Sequence, residues 1–449
     1  MKQLSLFGQP GLAENQVLGM PIGPERQRLE EKFAPLMREE LQLAKLVSFV
    51  GNKDVPVLRL YRYKEAFALS FVEDFINRFG LSAGDYLFDP FCGMGTTLLT
   101  AMKQGIPSIG IDKLPVAAFV ARTLPLFFQV EEGQIRSAFE RLRVQARHAE
   151  PAPIAADVNI IKVAFPAEVL LILRRWKAAI DTLEPPLLDI FLLLFFSILE
   201  PCSYTAKDGQ FLRLKRHKKL ADPERALYKK VLEAERDVRF LKQGLYQCSK
   251  EKSTLPTILL GDARNLQDIP FSGPPTAIIT SPPYPNRYDY TRTYSLELCF
   301  HFVKNFEELK AVRFGILRSH IEAKVERQEE PPHPAVKEVV DILREWGKAL
   351  NNPRIPHMLT GYFVDMQEVI EEWGRVLAPG ARVAMVVDNV RFEGEIVPVD
   401  LVLSEMAEEA GFKVREVIVA RYKGNSSQQM GKYGRVPVRE SVVVWEKGC

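Results

Sequence analysis

The nine residues DPFCGMGTT at 89–97 constrain this chain more than any other stretch. A short apolar run ends at Phe88 immediately before them, and a helical pattern starts at Thr97. Strand, glycine-rich turn and helix in that order begin a β-α-β unit, and such units build parallel sheets. Gly93 and Gly95 let the turn's backbone approach a ligand closely, while the next helix offers unpaired N–H groups to a carboxylate.

The same rhythm runs through most of the chain. Apolar strands at 86–88, 108–111, 257–260, 277–280, 382–387, 413–422 and 441–446 are interspersed with helical patterns at 65–79, 97–103, 364–377 and 400–410. They predict an α/β fold with a doubly wound, seven-stranded, mostly parallel sheet whose last two strands form an antiparallel pair at the edge. Residues 1–55 read as an N-terminal segment with a helix over 25–50, and 56–120 as the first part of the catalytic domain. A large helical insertion fills 121–255; 256–449 complete the domain, with a helical excursion at 295–356 broken by EEPPHP.

Bulk properties exclude several classes. Sixty Lys and Arg against 57 Asp and Glu leave a net charge of only +3, so any nucleic-acid contact must come from local clusters. Five scattered cysteines without a CxxC pair argue against a disulfide framework or a zinc site, and favour a reducing cytoplasm. No His spacing fits a metal site. The apolar run at 186–199 contains Asp189 and is too short to span a bilayer, so it reads as a buried helix.

Chemistry gathers at strand ends. Asp112 closes a strand 23 positions after Asp89, where an acid accepts the hydroxyls of an adenosine ribose. Asp262 closes another, placed to accept from an adenine amino group. No GxxxxGK[ST] loop is present to hold a triphosphate. Nineteen residues after Asp262, the strand at 277–279 runs into Ser281-Pro282-Pro283-Tyr284. Two consecutive prolines fix an extended backbone without donors, so the Pro282 carbonyl and the Ser281 hydroxyl are offered to an amino group. Tyr284 supplies a face for a base taken out of its stack.

DPFCGMGTT together with TSPPY resembles the amino-methyltransferases of bacterial and archaeal DNA. The similarity covers about 61–120 and 257–447, including GYFVDM, RVLAPG, VVDN and RES. It implies S-adenosylmethionine as cofactor, cradled at its methionine part by Asp89, Gly93, Gly95 and Thr96, with Phe91 in the same set. It further implies Asp112 at the ribose, Asp262 at the adenine, and Ser281, Pro282, Pro283 and Tyr284 at the target amine. YRYKEAFAL at 61–69 falls where such enzymes close over the cofactor, and the insertion becomes a possible target-recognition region. SPPY resembles the cytosine-N4 branch, whereas adenine-N6 enzymes more often carry DPPY or NPPY. A restriction enzyme as partner is the corresponding expectation.

Other features point outward. RLKRHKK holds Arg213, Lys215, Arg216, Lys218 and Lys219, either a solvated face or a phosphate-contacting edge, whereas NRYDYTRTY, with Arg287 and Tyr290, follows the SPPY turn and is placed to line the base pocket. An RNA base is the rival substrate. A cytosine-C5 mechanism would need Cys202 as nucleophile, but Pro201-Cys202 lies in the insertion instead of after the strand bearing SPPY. QLSLF, with Gln3, Leu4, Leu6 and Phe7, resembles the peptide by which bacterial proteins dock on the replication sliding clamp. The sequence favours packing on the protein's own surface for that segment.

Overall fold

Nearly continuous burial along the central strands shows that the sheet is covered on both sides. In the computed structural model, residues 23–208, 211–243, 255–323, 329–424, 434 and 436–448 are described. The clamp-like segment with Gln3, Leu4, Leu6 and Phe7 lies outside them. The strands are β1 (Met37–Glu39), β2 (Leu87–Asp89), β3 (Ser108–Asp112), β4 (Thr205–Asp208), β5 (Phe211–Leu214) and β6 (Thr257–Leu260). They continue as β7 (Ala277–Thr280), β8 (Arg382–Asp388), β9 (Val390–Phe392), β10 (Glu395–Val397), β11 (Phe412–Lys423) and β12 (Val438–Lys447).

Eight of them form one sheet in the order β1-β11-β12-β8-β7-β2-β3-β6. β12 runs antiparallel to both neighbours and every other pairing is parallel. Val383, Met385, Val387, Val443 and Trp445 face one core, with helices Pro24–Phe33, Pro334–Glu345, Ile355–Val376 and Val399–Glu409. The intervening Ala384, Val386, Val442 and Val444 face the other, under helix Leu69–Phe79. Strand order reverses between β2 and β7, and the carboxyl ends beside such a switch point form a ligand crevice.

Three expectations need correction. The sheet has eight strands, because β1 adds itself beside β11 and takes the edge where β11 was expected. The helix expected over 25–50 ends at Phe33, since Pro35 cannot continue it, and the chain turns into β1. The insertion is not wholly helical: after helix Leu187–Leu199 it forms the antiparallel hairpin β4–β5. The insertion's core is continuous with Leu58, Leu60, Tyr61 and Tyr294–Phe300 side chains, so this helical lobe packs against the excursion that follows β7.

Gly95 shows how tightly the glycine turn is built. Its φ is +83°, and an added Cβ would lie 2.9 Å from the Ala121 Cβ. Gly95→Ala is expected to cost about 2–4 kcal/mol through left-handed strain and overpacking. Thermal unfolding checks this, and an unchanged midpoint would refute it. No helix among the described residues is long and apolar enough to cross a membrane.

Candidate active site

The ends of β2, β3, β6 and β7 open onto one solvent-accessible cleft. Phe91, Gly93, Asp112, Asp262, Ser281 and Pro283 all line it. These residues are separated by up to 192 positions in sequence, and the switch point brings them together. Gly93 (φ +51°) is needed for approach: an added Cβ would stand 3.2 Å from the Tyr63 ring. Its N–H donates to Asp112 Oδ2 at 2.9 Å, and the Leu114 N–H donates to Oδ1 at 2.8 Å. Both carboxylate oxygens are thereby aimed and keep lone pairs for a ligand. Burial, against those two hydrogen bonds, pushes the Asp112 carboxyl up to about 7.

Other expected residues stand behind the cleft. Asp89 is 2% exposed; its Oδ1 accepts from Thr280 Oγ1 at 2.6 Å and from the Phe91 N–H at 3.2 Å, tying β2 to β7. Burial raises its carboxyl to about 6. Thr96 is buried, and its hydroxyl has no hydrogen-bond partner. Thr97, by contrast, donates to the Ile279 carbonyl at 3.2 Å and ties the helix to β7. Asp262 accepts two hydrogen bonds from the Arg264 guanidinium, at 2.9 and 2.7 Å, with Lys113 at 3.3 Å. Burial alone would raise its carboxyl, but Arg264 outweighs that and holds it below the usual range.

Beyond β7, Ser281 Oγ lies 3.2 Å from the Tyr284 hydroxyl and 3.3 Å from the Val386 carbonyl. The Tyr284 hydroxyl donates to Glu440 Oε1 at 3.3 Å, and Lys423 covers its ring at 5.7 Å. Glu440, nearly fully buried, also takes Lys423 at 2.6 Å and Arg421. Lys423 reaches Asp388 at 3.0 Å, and burial raises that carboxyl to about 7. The sequence contained these acids in VVDN and RES, but nothing local showed that they stand under Tyr284.

A tyrosine wall was also hidden. Tyr63 stacks on Tyr294 with centroids 5.0 Å apart and planes 11° from parallel. Glu65 accepts from the Tyr294 hydroxyl at 2.5 Å and from Tyr288. Tyr290, expected from the sequence to line the base pocket, lines the cleft together with Tyr63. Arg287, just after the SPPY turn, holds a left-handed backbone (φ +72°), a strain of about 1–2 kcal/mol for a side chain of this kind.

The basic cluster divides into two groups. Lys218 donates to the carbonyls of Glu200 and Thr205, both at 2.6 Å, so it holds the hairpin together. Lys215 pairs with Asp208 at 3.1 Å. Arg213, Arg216 and Lys219 are exposed. Phe211 of the same hairpin lies 5.8 Å under the Arg292 guanidinium, which brings β5 against the segment that follows SPPY.

A family profile described as DNA methylase matches residues 51–119. The type II methyltransferase M.BsoBI of Geobacillus stearothermophilus is 34% identical, over 94% of this chain and 92% of that protein. The type II methyltransferase M.AvaI of Nostoc sp. is 33% identical over 93% and 92%. The chain belongs to this family. As a type II methyltransferase relative it uses S-adenosylmethionine. The cleft of the methyltransferase fits that group. Its walls combine a glycine turn that a Cβ would close, two strand-end acids for hydroxyl and amino groups, and the aromatic rings of Tyr63, Phe91 and Tyr290. Among the described residues no cluster of three or more His, Cys, Asp or Glu is arranged to hold a metal ion.

Proposed function

We propose that this methyltransferase modifies the exocyclic amino group of a DNA base, cytosine N4, as the modification partner of a restriction enzyme in the cytoplasm. The observation that carries this reading is that Ser281 and Pro283 of SPPY line the same cleft as Asp112. S-adenosylmethionine supplies, when bound there, a methyl group on a sulfonium sulfur. Asp112 holds the ribose hydroxyls and Asp262 the adenine edge, while Gly93 leaves room for the methionine part. The Ser281 hydroxyl and the Pro282 carbonyl would accept from the target amine and draw its lone pair out of conjugation. Tyr284, with Lys423 over its ring, receives the flipped base. Positioning and preorganised acceptors account for the reaction, with no covalent nucleophile.

Nucleoside mass spectrometry of DNA and RNA from a host expressing the chain, beside an empty host, tests this proposal. N4-methylcytosine in DNA is expected. N6-methyladenine in DNA would move the substrate to adenine, and a methylated base confined to RNA would overturn the DNA assignment.

The exposed cations on and just after β5 support a phosphate-contacting role. Neutralising Arg213, Arg216 and Lys219 together is expected to weaken binding and make the salt dependence shallower by about 0.9 in slope per lost phosphate contact. Lys218→Ala is expected to act instead on hairpin stability, because its ammonium satisfies two carbonyls. Binding titrations across salt concentrations check both, and an unaltered slope in the triple variant would leave the cluster a solvated face.

A further inference from the structure

We propose that Lys207 is a positioning residue that couples the basic hairpin to the aromatic wall of the cofactor cleft, so that nucleic acid and cofactor bind cooperatively. The inference rests on the reading of this chain as a nucleic-acid methyltransferase. β4 alternates strictly: Thr205 and Lys207 point inward, Ala206 and Asp208 outward, and Ala206 pairs with the exposed Arg213. A lysine is an unusual inward residue, and its side chain is only 4% exposed.

Its ammonium donates to Glu297 Oε1 at 2.5 Å, and the Tyr61 hydroxyl donates to the same oxygen at 2.8 Å. Glu297 is 2% exposed and its second oxygen has no partner, so the pair is desolvated and incompletely satisfied. Such a pair contributes little to stability compared with apolar packing. The same ammonium sits 4.2 Å from the Tyr294 ring centroid. Tyr294 stacks on Tyr63, whose ring occupies the space above Gly93, and the Gly93 N–H aims Asp112. The Lys64 ammonium, beside Tyr63, donates to the Lys207 carbonyl. A line of direct contacts therefore runs from the hairpin that bears the exposed Arg213 to the acid at the end of β3. A shift of the hairpin on phosphate binding that moves the Lys207 ammonium changes its contact with the Tyr294 ring. Because linkage is reciprocal, a cofactor that orders the tyrosine wall must likewise favour the nucleic-acid-bound hairpin.

The test compares wild type with the double variant Lys207→Met/Glu297→Gln, which removes both charges and leaves no unpaired buried ion. S-adenosylhomocysteine affinity is measured by calorimetry with and without unmethylated DNA amplified from the host genome, beside methyl transfer to that DNA. Wild type is expected to bind the probe about tenfold tighter with DNA present, within the usual range of such couplings. The double variant is expected to keep its DNA-free affinity within about twofold and lose that tenfold gain. Single Lys207→Met serves as a second variant, with thermal unfolding to register loss of fold. A double variant that keeps the gain, a wild type without any gain, or equal loss of both affinities at an unchanged ratio would overturn the proposal. Each of those leaves wild-type methyl transfer intact, whereas failure of the underlying reading would show as absence of methyl transfer to DNA.

Discussion

Ser281→Ala is expected to lower methyl transfer on the order of 100-fold while leaving cofactor affinity within about threefold, the signature of an acceptor used chiefly in the transition state. Among the described residues the Ser281 hydroxyl makes two long contacts, to Val386 and Tyr284, so it can keep its proton on one of them and present its lone pairs to an amine. Tyr284→Ala is expected to fall at least as far, because it removes the stacking face and leaves Glu440 without its phenol. Burial, and next the charge of Glu440, keep that phenol protonated. Single-turnover transfer of labelled methyl, beside calorimetry of cofactor binding, separates the two effects. Wild-type turnover in both variants would remove SPPY from the chemistry.

Cofactor binding is expected to weaken as pH falls through about 7, because protonating Asp112 turns one of its acceptor oxygens into a donor. The sign follows from the raised value. Above about 7 the carboxylate is available, and below it each pH unit approaches a tenfold loss as a proton must first be displaced. Asp112→Asn is expected to weaken binding at pH 8 by about 10- to 150-fold, the worth of one charge-assisted bond of roughly 1.5–3 kcal/mol, and to flatten the profile between pH 6 and 8. Asp89→Asn should leave the step near pH 7 in place, since Asp89 faces Thr280 and not the cleft. A profile that survives Asp112→Asn would assign the titration to another group.

The parts legible in the sequence are those whose signal is local. The sheet's central strands are short apolar runs ended by acids, and the glycine turn and SPPY sit at strand ends where backbone geometry alone confines them. β1 escaped because Met37, Arg38 and Glu39 carry no strand pattern, and their pairing is set by Val417–Val419 across the chain. The hairpin escaped because Lys207 breaks the apolar alternation that would have marked β4. Glu65 and Glu440 escaped for a related reason: each meets its tyrosine across 229 and 156 residues, distances at which a sequence carries no pairing rule. Asp89 was legible as important, but the sequence aims it at the cofactor, while the fold turns it toward Thr280.

That last bond spans 191 residues and has a consequence for how the protein is made. β2 has β7 as one of its two neighbours, and β7 leaves the ribosome only after the whole helical lobe has been synthesised. At about 5–20 residues per second, β2 waits on the order of ten to forty seconds with one apolar edge unpaired. During that interval the nascent chain carries a bare strand edge of the kind that templates aggregation, and β3 is likewise uncovered until β6 arrives. Slow translation across 121–255 would prolong the exposure, and a chaperone bound to nascent chains of about 120–280 residues would shorten its effect. Yield of active protein should therefore respond more to expression rate and temperature than the stability of the finished sheet would indicate.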